Sequence, residues 1–120
     1  MGVKANDIWV NDMNENRENP RINVKWLIEI YVEEQYKIEG EVRNISKSGL
    51  LIYNKGPLET GQTYRMAIFP PGQDYLPIVG KVIRTESYSK DNNQKDISSG
   101  ISIVEINEED SHLINRFLEQ

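Results

Sequence analysis

The chain has no cysteine and a single histidine among its 120 residues. Without cysteine it can form no disulfide, and it has neither a thiolate nucleophile nor a thiolate metal ligand. A zinc or non-haem iron site needs several histidine or cysteine ligands, which His112 alone does not supply. A magnesium or calcium site built from carboxylates alone stays open as an alternative, although no Asp-rich loop of EF-hand spacing is present. Our expectation is that the protein binds neither a metal ion nor a cofactor.

A long hydrophobic run is also missing from the amino terminus. The longest apolar run in the first twenty residues is Ile8-Trp9-Val10. Three residues are too few for the core of a signal peptide or for a membrane-spanning helix. The sequence thus predicts a cytoplasmic protein that does not insert into a membrane.

Basic residues are scarcer than acidic ones, 14 against 19, and the formal net charge is −5. A protein that coats DNA or RNA carries an excess of positive charge, so the balance predicts no nucleic-acid partner. Any anionic ligand has to be met by a local group of cations.

Composition divides the chain near its start. Residues 1–16 are rich in asparagine and acidic side chains and poor in apolar ones, which predicts a mobile N-terminal extension. Trp9 is its largest apolar group, and docking on the chain's own domain is the favoured interpretation. Residues 17–120 are sufficient for one domain with one core.

Six segments alternate polar and apolar residues with the period of two that is typical of strands. A first strand from residue 22 is predicted to bury Val24, Trp26, Ile28, Ile30 and Val32. After a turn at residues 34–35, a second is predicted to bury Tyr36, Ile38, Gly40 and Val42. Gly40 in mid-strand predicts a bend or bulge. The other strands are predicted at residues 50–53, 64–68, 78–85 and 97–106, with an exposed hairpin tip at residues 87–96.

Six antiparallel strands in so short a chain predict a closed barrel, because closure removes the exposed edges of a sheet. The segment after the last strand differs in kind. Asn107 is a suitable N-cap, and Glu108, Glu109 and Asp110 suit the positive end of a helix dipole. An apolar stripe then predicts a helix packed on the barrel, formed by Leu113, Ile114, Phe117 and Leu118. His112 is predicted to be an ordinary surface residue.

Two short motifs are candidates for ligand binding. Arg17 and Arg21 form an Arg-x-x-x-Arg pattern ahead of the first strand. Such a pair is expected by chance about 0.3 times in this chain, so it is weak alone. Asn44, Ser46 and Gly49 form an Asn-x-Ser-x-x-Gly turn between the second and third strands. This pattern is expected only about 0.08 times, so the turn is the stronger evidence for a ligand site and supports a binding role for the two arginines.

The order of these motifs, the six strands and the terminal helix resemble the PilZ family, bacterial domains that sense cyclic di-GMP. The resemblance covers residues 17–120 and implies a six-stranded split β-barrel with a C-terminal helix. It also implies that Arg17 and Arg21 contact a guanine and the phosphates, with Asn44 and Ser46 at the other guanine and Gly49 allowing close approach. Arginine suits this role because its planar guanidinium donates paired hydrogen bonds and stacks on purines.

The function that follows is a cyclic di-GMP receptor in which the arginine arm orders over the nucleotide and changes a partner-binding surface. A PilZ-like adaptor that holds a protein partner without nucleotide is the alternative. A single-stranded nucleic-acid binder on a similar barrel would need a basic groove, which the net charge disfavours. An enzyme is not expected, since no nucleophile and base pair or phosphate-binding glycine loop can be assembled.

Overall fold

A computed structural model describes residues 20–89 and 95–119. They form six strands and one helix, in the order β1 Ile22–Glu33, β2 Tyr36–Ile45, β3 Gly49–Asn54, β4 Thr63–Phe69, β5 Leu76–Ser89, β6 Lys95–Ile106 and α1 Glu108–Leu118. Within these residues, no helix has the length and hydropathy of a membrane span.

The strands close into an antiparallel barrel in the order β1-β2-β3-β6-β5-β4. Hairpins join β1 to β2, β2 to β3, β4 to β5 and β5 to β6, while β1 pairs with β4 to complete the ring. The predicted six-stranded barrel with a C-terminal helix is confirmed. Closure leaves each strand with a neighbour on both sides, which removes the exposed edges.

The barrel interior holds the apolar residues that the alternation selected. Ile28, Ile30, Val42 and Ile52 are at most 1% exposed, and Trp26 is 6% exposed. Helix α1 packs on this core through Ile114, which is 1% exposed, and the ring of Phe117 meets that of Trp26 edge-on at 5.0 Å. Asn107 caps the helix as predicted, its Oδ1 accepting from the Asp110 amide at 2.8 Å.

Tyr36 was predicted to be buried and is instead 53% exposed. It is the first residue of β2 and pairs with Glu33 at the hairpin end, past a break in register. The side-chain alternation of β2 therefore reaches the packed interior only from Ile38 onward.

Gly40 was predicted to mark a bend or bulge, but the β1–β2 register runs unbroken from Trp26↔Val42 to Tyr31↔Lys37. A Cβ at this position would collide with the backbone oxygen of Tyr53. The glycine is needed because β2 and β3 approach each other closely there.

Strands β5 and β6 are longer than predicted. Their ladder continues through Glu86↔Ser98 and Tyr88↔Asp96, because backbone pairing does not require apolar side chains. The predicted hairpin tip thus shortens, and its centre, residues 90–94, lies outside the described residues.

Candidate functional site

The turn between β2 and β3 is organised by Ser46, which is 1% exposed. Its Oγ accepts from the Gly49 amide at 3.1 Å and from the Ser48 amide at 3.3 Å. The Ser46 amide in turn donates to the Gly49 carbonyl at 2.9 Å. A buried hydroxyl with this many partners holds the turn in one shape, which makes it a rigid platform.

The platform is also bonded to β6. The amide of Ile103 donates to the carbonyl of Ser48 at 2.9 Å. A Cβ at Gly49 would lie 2.7 Å from the Ile101 carbonyl oxygen, so only glycine allows this packing. The neighbouring side chains of Lys47 and Ser48 stay exposed.

Arg21 lies next to this turn, immediately before β1. Asn23 pairs with Asn44 across the β1–β2 ladder, which brings the start of β1 beside the end of β2. Arg21 Nη1 donates to Asn44 Oδ1 at 2.8 Å. The two candidate motifs, 23 residues apart in sequence, therefore touch.

A second arginine approaches the same place from β5. Partial burial lowers the pKa of the Arg21 guanidinium, and the positive charge of Arg84 lowers it further. A Cβ at Gly100 would lie 3.4 Å from Arg84 Nε and 3.5 Å from its Cγ, so the arginine side chain runs across the glycine. The side chain of Arg84 therefore packs over Gly100.

The sheet register explains why these residues share one surface. Directly paired residues point to the same face of a sheet. Arg84 pairs with Gly100, Gly100 with Leu51, and Leu51 with Asn44. This row runs over β5, β6, β3 and β2, with Arg84 at one end and Asn44 with Arg21 at the other. An overall acidic protein thus has two guanidiniums at the ends of one row of paired residues.

The family model that matches this chain is the PilZ domain, over residues 15–120. The chain belongs to the PilZ domain family. The resemblance stated from the sequence is thereby confirmed, and the closed barrel with its single C-terminal helix is the PilZ-type fold.

Solved PilZ proteins share this fold at low sequence identity. The PilZ domain of Escherichia coli YcgR, solved with c-di-GMP, has a TM-score of 0.72 at 9% identity, covering 88% of this chain and 90% of that one. The K. pneumoniae MrkH–c-di-GMP complex has a TM-score of 0.73 at 13% identity, covering 88% and 52%. Bacillus subtilis MotI/DgrA, an inhibitor of motility, has a TM-score of 0.69 at 18% identity, covering 88% and 50%.

This PilZ chain therefore spans about half the length of MotI and MrkH. No curated protein sequence matches it. Among the described residues there is also no group of three or more histidine, cysteine, aspartate or glutamate side chains that could hold a metal ion.

Four of the five predicted site residues of this PilZ domain are brought together. Three of them, Asn44, Ser46 and Gly49, belong to the turn between β2 and β3. The fourth, Arg21, is hydrogen-bonded to Asn44. Arg17, like Trp9, lies outside the described residues.

Arg84 was not among the predicted site residues. Strict alternation would point Arg84 inward with the buried Ile78 and Val82, and the break in register between Val82 and Arg84 places it on the outer face instead. Alternation also does not say which strand lies beside it. The available signal was Gly100, a glycine within the last predicted strand, whose missing side chain makes room for a neighbour.

Proposed function

We propose that this PilZ domain is a cyclic di-GMP receptor whose nucleotide site is formed by Arg17, Arg21, Asn44, Ser46 and Gly49. The contact between Arg21 and Asn44, at 2.8 Å, is the observation that carries the proposal, because it joins the two motifs. The YcgR domain and MrkH, solved with c-di-GMP, support the choice of ligand.

The chemistry of this surface suits a guanine nucleotide. A guanidinium donates two parallel hydrogen bonds, which fit guanine O6 and N7 or two phosphate oxygens. Arg21 has donors beyond the Nη1 that Asn44 occupies, and Asn44 holds the guanidinium in place before the ligand arrives. Such pre-organisation reduces the entropy lost on binding.

Among the residues that the structure describes, Arg84 is the second arginine near this site. The lowered pKa of Arg21 reflects partial burial and the repulsion between the two arginines. A phosphate or the electron-rich edge of guanine between them replaces that repulsion with two attractions. Local charge thus compensates for the net charge of −5.

Binding also has a conformational part in this proposal. Arg17 precedes β1 by a few residues, so the segment that carries it closes over the nucleotide once bound and changes the surface offered to a protein partner. Trp9 lies on the same segment, and its fluorescence should change when ligand is added. Unaltered emission in a sample saturated with cyclic di-GMP would contradict this closure.

Calorimetric titration with cyclic di-GMP tests the proposal and reports stoichiometry. We expect saturable heat with a Kd near 1 μM, about −8 kcal/mol. Arg21→Ala should abolish binding and Arg84→Ala should weaken it about tenfold or more, with circular dichroism unchanged. Lys25→Ala, an exposed cation on β1, is the matched control and should bind like the unaltered protein.

Absence of heat at about 100 μM ligand, with the barrel folded, would overturn the receptor proposal. The protein would then be the PilZ-like adaptor that holds a partner without nucleotide. Unchanged affinity in Arg84→Ala, with binding lost in Arg21→Ala, would remove Arg84 from the site and leave the two motifs.

A further inference from the structure

An apolar groove of about 720 Å³ lies on the outer face of the barrel, away from the Asn44 turn. Leu27 is 67% exposed although it lies in the middle of β1. Phe69 on β4 pairs directly with it, and Tyr75 packs on Phe69 with ring centroids 6.1 Å apart. Tyr53 on β3, 41% exposed, lines the opposite side. Large apolar side chains in a groove are the usual anchor points for a protein partner.

Carboxylates lie beside the apolar side chains of the groove. Glu29 on β1 lies directly opposite Glu39 on β2, and Glu41 is the next outward residue of β2. Like charges opposite each other destabilise a sheet unless a cation is close. Lys37 bonds Glu29 at 2.7 Å and Arg43 lies 3.7 Å from Glu41.

Glu39 stands between these two ion pairs. Within residues 20–89 and 95–119, no cation lies within ion-pair distance of it. Asp96 and Lys55 also line the groove. The groove therefore combines exposed apolar side chains with a carboxylate, Glu39, that has no close ion-pair partner among the described residues.

We propose that this groove binds a partner protein through a segment that combines lysine or arginine with large apolar side chains. The partner's apolar side chains pack on Leu27, Phe69 and Tyr53 of the groove. The partner's cation lies beside Glu39, where it offsets the repulsion between Glu39 and Glu29. Charge complementarity of this kind selects the partner and speeds its association.

The chain's own segments do not meet this requirement. A second copy would bring a net charge of −5 against the carboxylates. Residues 1–16 carry Lys4 as their one cation against three acidic residues, Asp7, Asp12 and Glu15. Both would be repelled by the groove.

The test uses two synthetic seven-residue peptides and the full chain labelled with ¹⁵N. In the first peptide lysine and arginine alternate with leucine and tryptophan, and in the second glutamate replaces each basic residue. We expect the first to shift the amide signals of Leu27, Glu39 and Tyr53 with a Kd on the order of 100 μM. The glutamate peptide should leave these signals unchanged.

Two substitutions locate the contact. Leu27→Ser and Glu39→Lys should each weaken binding of the basic peptide at least tenfold. Ile83→Ser, which alters an apolar side chain 54% exposed on β5, and Glu105→Lys, which alters an exposed carboxylate on β6, are the matched controls and should bind normally.

Several outcomes would overturn the proposal. These are no shift with the basic peptide at millimolar concentration, equal binding of the glutamate peptide, or shifts that lie outside the groove. Two further outcomes would also overturn it, because they would show that another molecule or segment occupies the groove. Shifts of the same amides on raising protein concentration alone would mean a second copy, and shifts on Trp9→Ala would mean the chain's own N-terminal segment. Because no outcome involves cyclic di-GMP, the result is separate from that of the nucleotide titration.

Discussion

At the scale of single residues, Ser46 and Gly40 show how a buried position can determine a turn or a strand contact. Ser46 places one hydroxyl where two backbone amides need an acceptor. Gly40 has no side chain, and this leaves room for the backbone oxygen of Tyr53. Both effects are local, so single substitutions measure them.

Ser46→Ala should lower the free energy of unfolding by about 1–3 kcal/mol, because it leaves buried amide donors without an acceptor. It should also weaken cyclic di-GMP binding, since the turn no longer has one shape. Urea denaturation and calorimetry measure the two effects. Ser87→Ala, at an exposed serine of β5, is the control, and an equal loss of stability there would contradict the role given to Ser46.

Gly40→Ala should destabilise the barrel by about 2–3 kcal/mol, because the new methyl group overlaps backbone that cannot rotate away. Gly100→Ala is the matched comparison, since its Cβ would meet only the side chain of Arg84 at ordinary contact distance. Both changes restrict the unfolded chain equally, so their difference isolates the folded contact. Equal unfolding midpoints in urea would refute the close approach of β2 and β3.

At the scale of elements, the β1–β2 hairpin balances attraction against repulsion. Glu29 faces Glu39 across the ladder but accepts hydrogen bonds from Lys37 Nζ at 2.7 Å and Tyr31 Oη at 2.9 Å. The pKa of Glu29 is lowered, first by the bond from Lys37 and then by that from Tyr31. The charged form of Glu29 is therefore favoured in the folded hairpin.

This direction predicts a pH dependence. A carboxyl whose pKa is lower in the folded state contributes stability above its unfolded pKa near 4.5, and this contribution is lost as pH falls through the folded pKa. Glu29→Gln should therefore unfold at lower temperature than the unaltered protein at pH 7. The difference should vanish near pH 2, when Glu29 is protonated. A difference that is the same at both pH values would contradict the ion pair.

Helix α1 provides a second test at this scale. Asn107→Ala should lower the free energy of unfolding by about 1 kcal/mol, because the Asp110 amide loses its acceptor. Thermal denaturation checks this. His112→Ala, on the exposed side of the same helix, should leave the melting temperature unchanged. A comparable loss from His112→Ala would show that the cap is not the cause.

At the scale of the whole molecule, the pairing of strands in the barrel would let a nucleotide bound at the proposed site stabilise several strands at once. The proposed site takes residues from both ends of a row that spans β5, β6, β3 and β2. Local opening of any of these strands would separate Arg84 from Asn44. Ligand binding should therefore stabilise the cooperative unit and not the turn alone.

Cyclic di-GMP at a hundred times its Kd should raise the free energy of unfolding by about 2.7 kcal/mol. For a domain of this size the melting temperature should rise by about 10 °C. Thermal denaturation with and without nucleotide measures the shift. Arg21→Ala should show none, and a shift that survives in this variant would place the nucleotide elsewhere.

The amino-acid sequence by itself determined the elements of this protein. Alternation identified the strands through Ile28, Ile30 and Val42, and Asn107 identified the start of the helix, because these signals depend on neighbours within a few residues. The turn that begins at Asn44 could be predicted for the same reason. Tyr36 was misjudged because alternation does not show where along a strand the packed interior begins.

Tertiary structure alone decided which strands lie side by side, and with them the composition of the site. Pairing of β3 with β6 and of β6 with β5 places Gly100 between Leu51 and Arg84, across 16 to 49 positions of sequence. Closure likewise sets Leu27 between Phe69 and Glu41. Such contacts depend on register between distant segments, and register follows from the packing of the whole barrel and not from any local pattern.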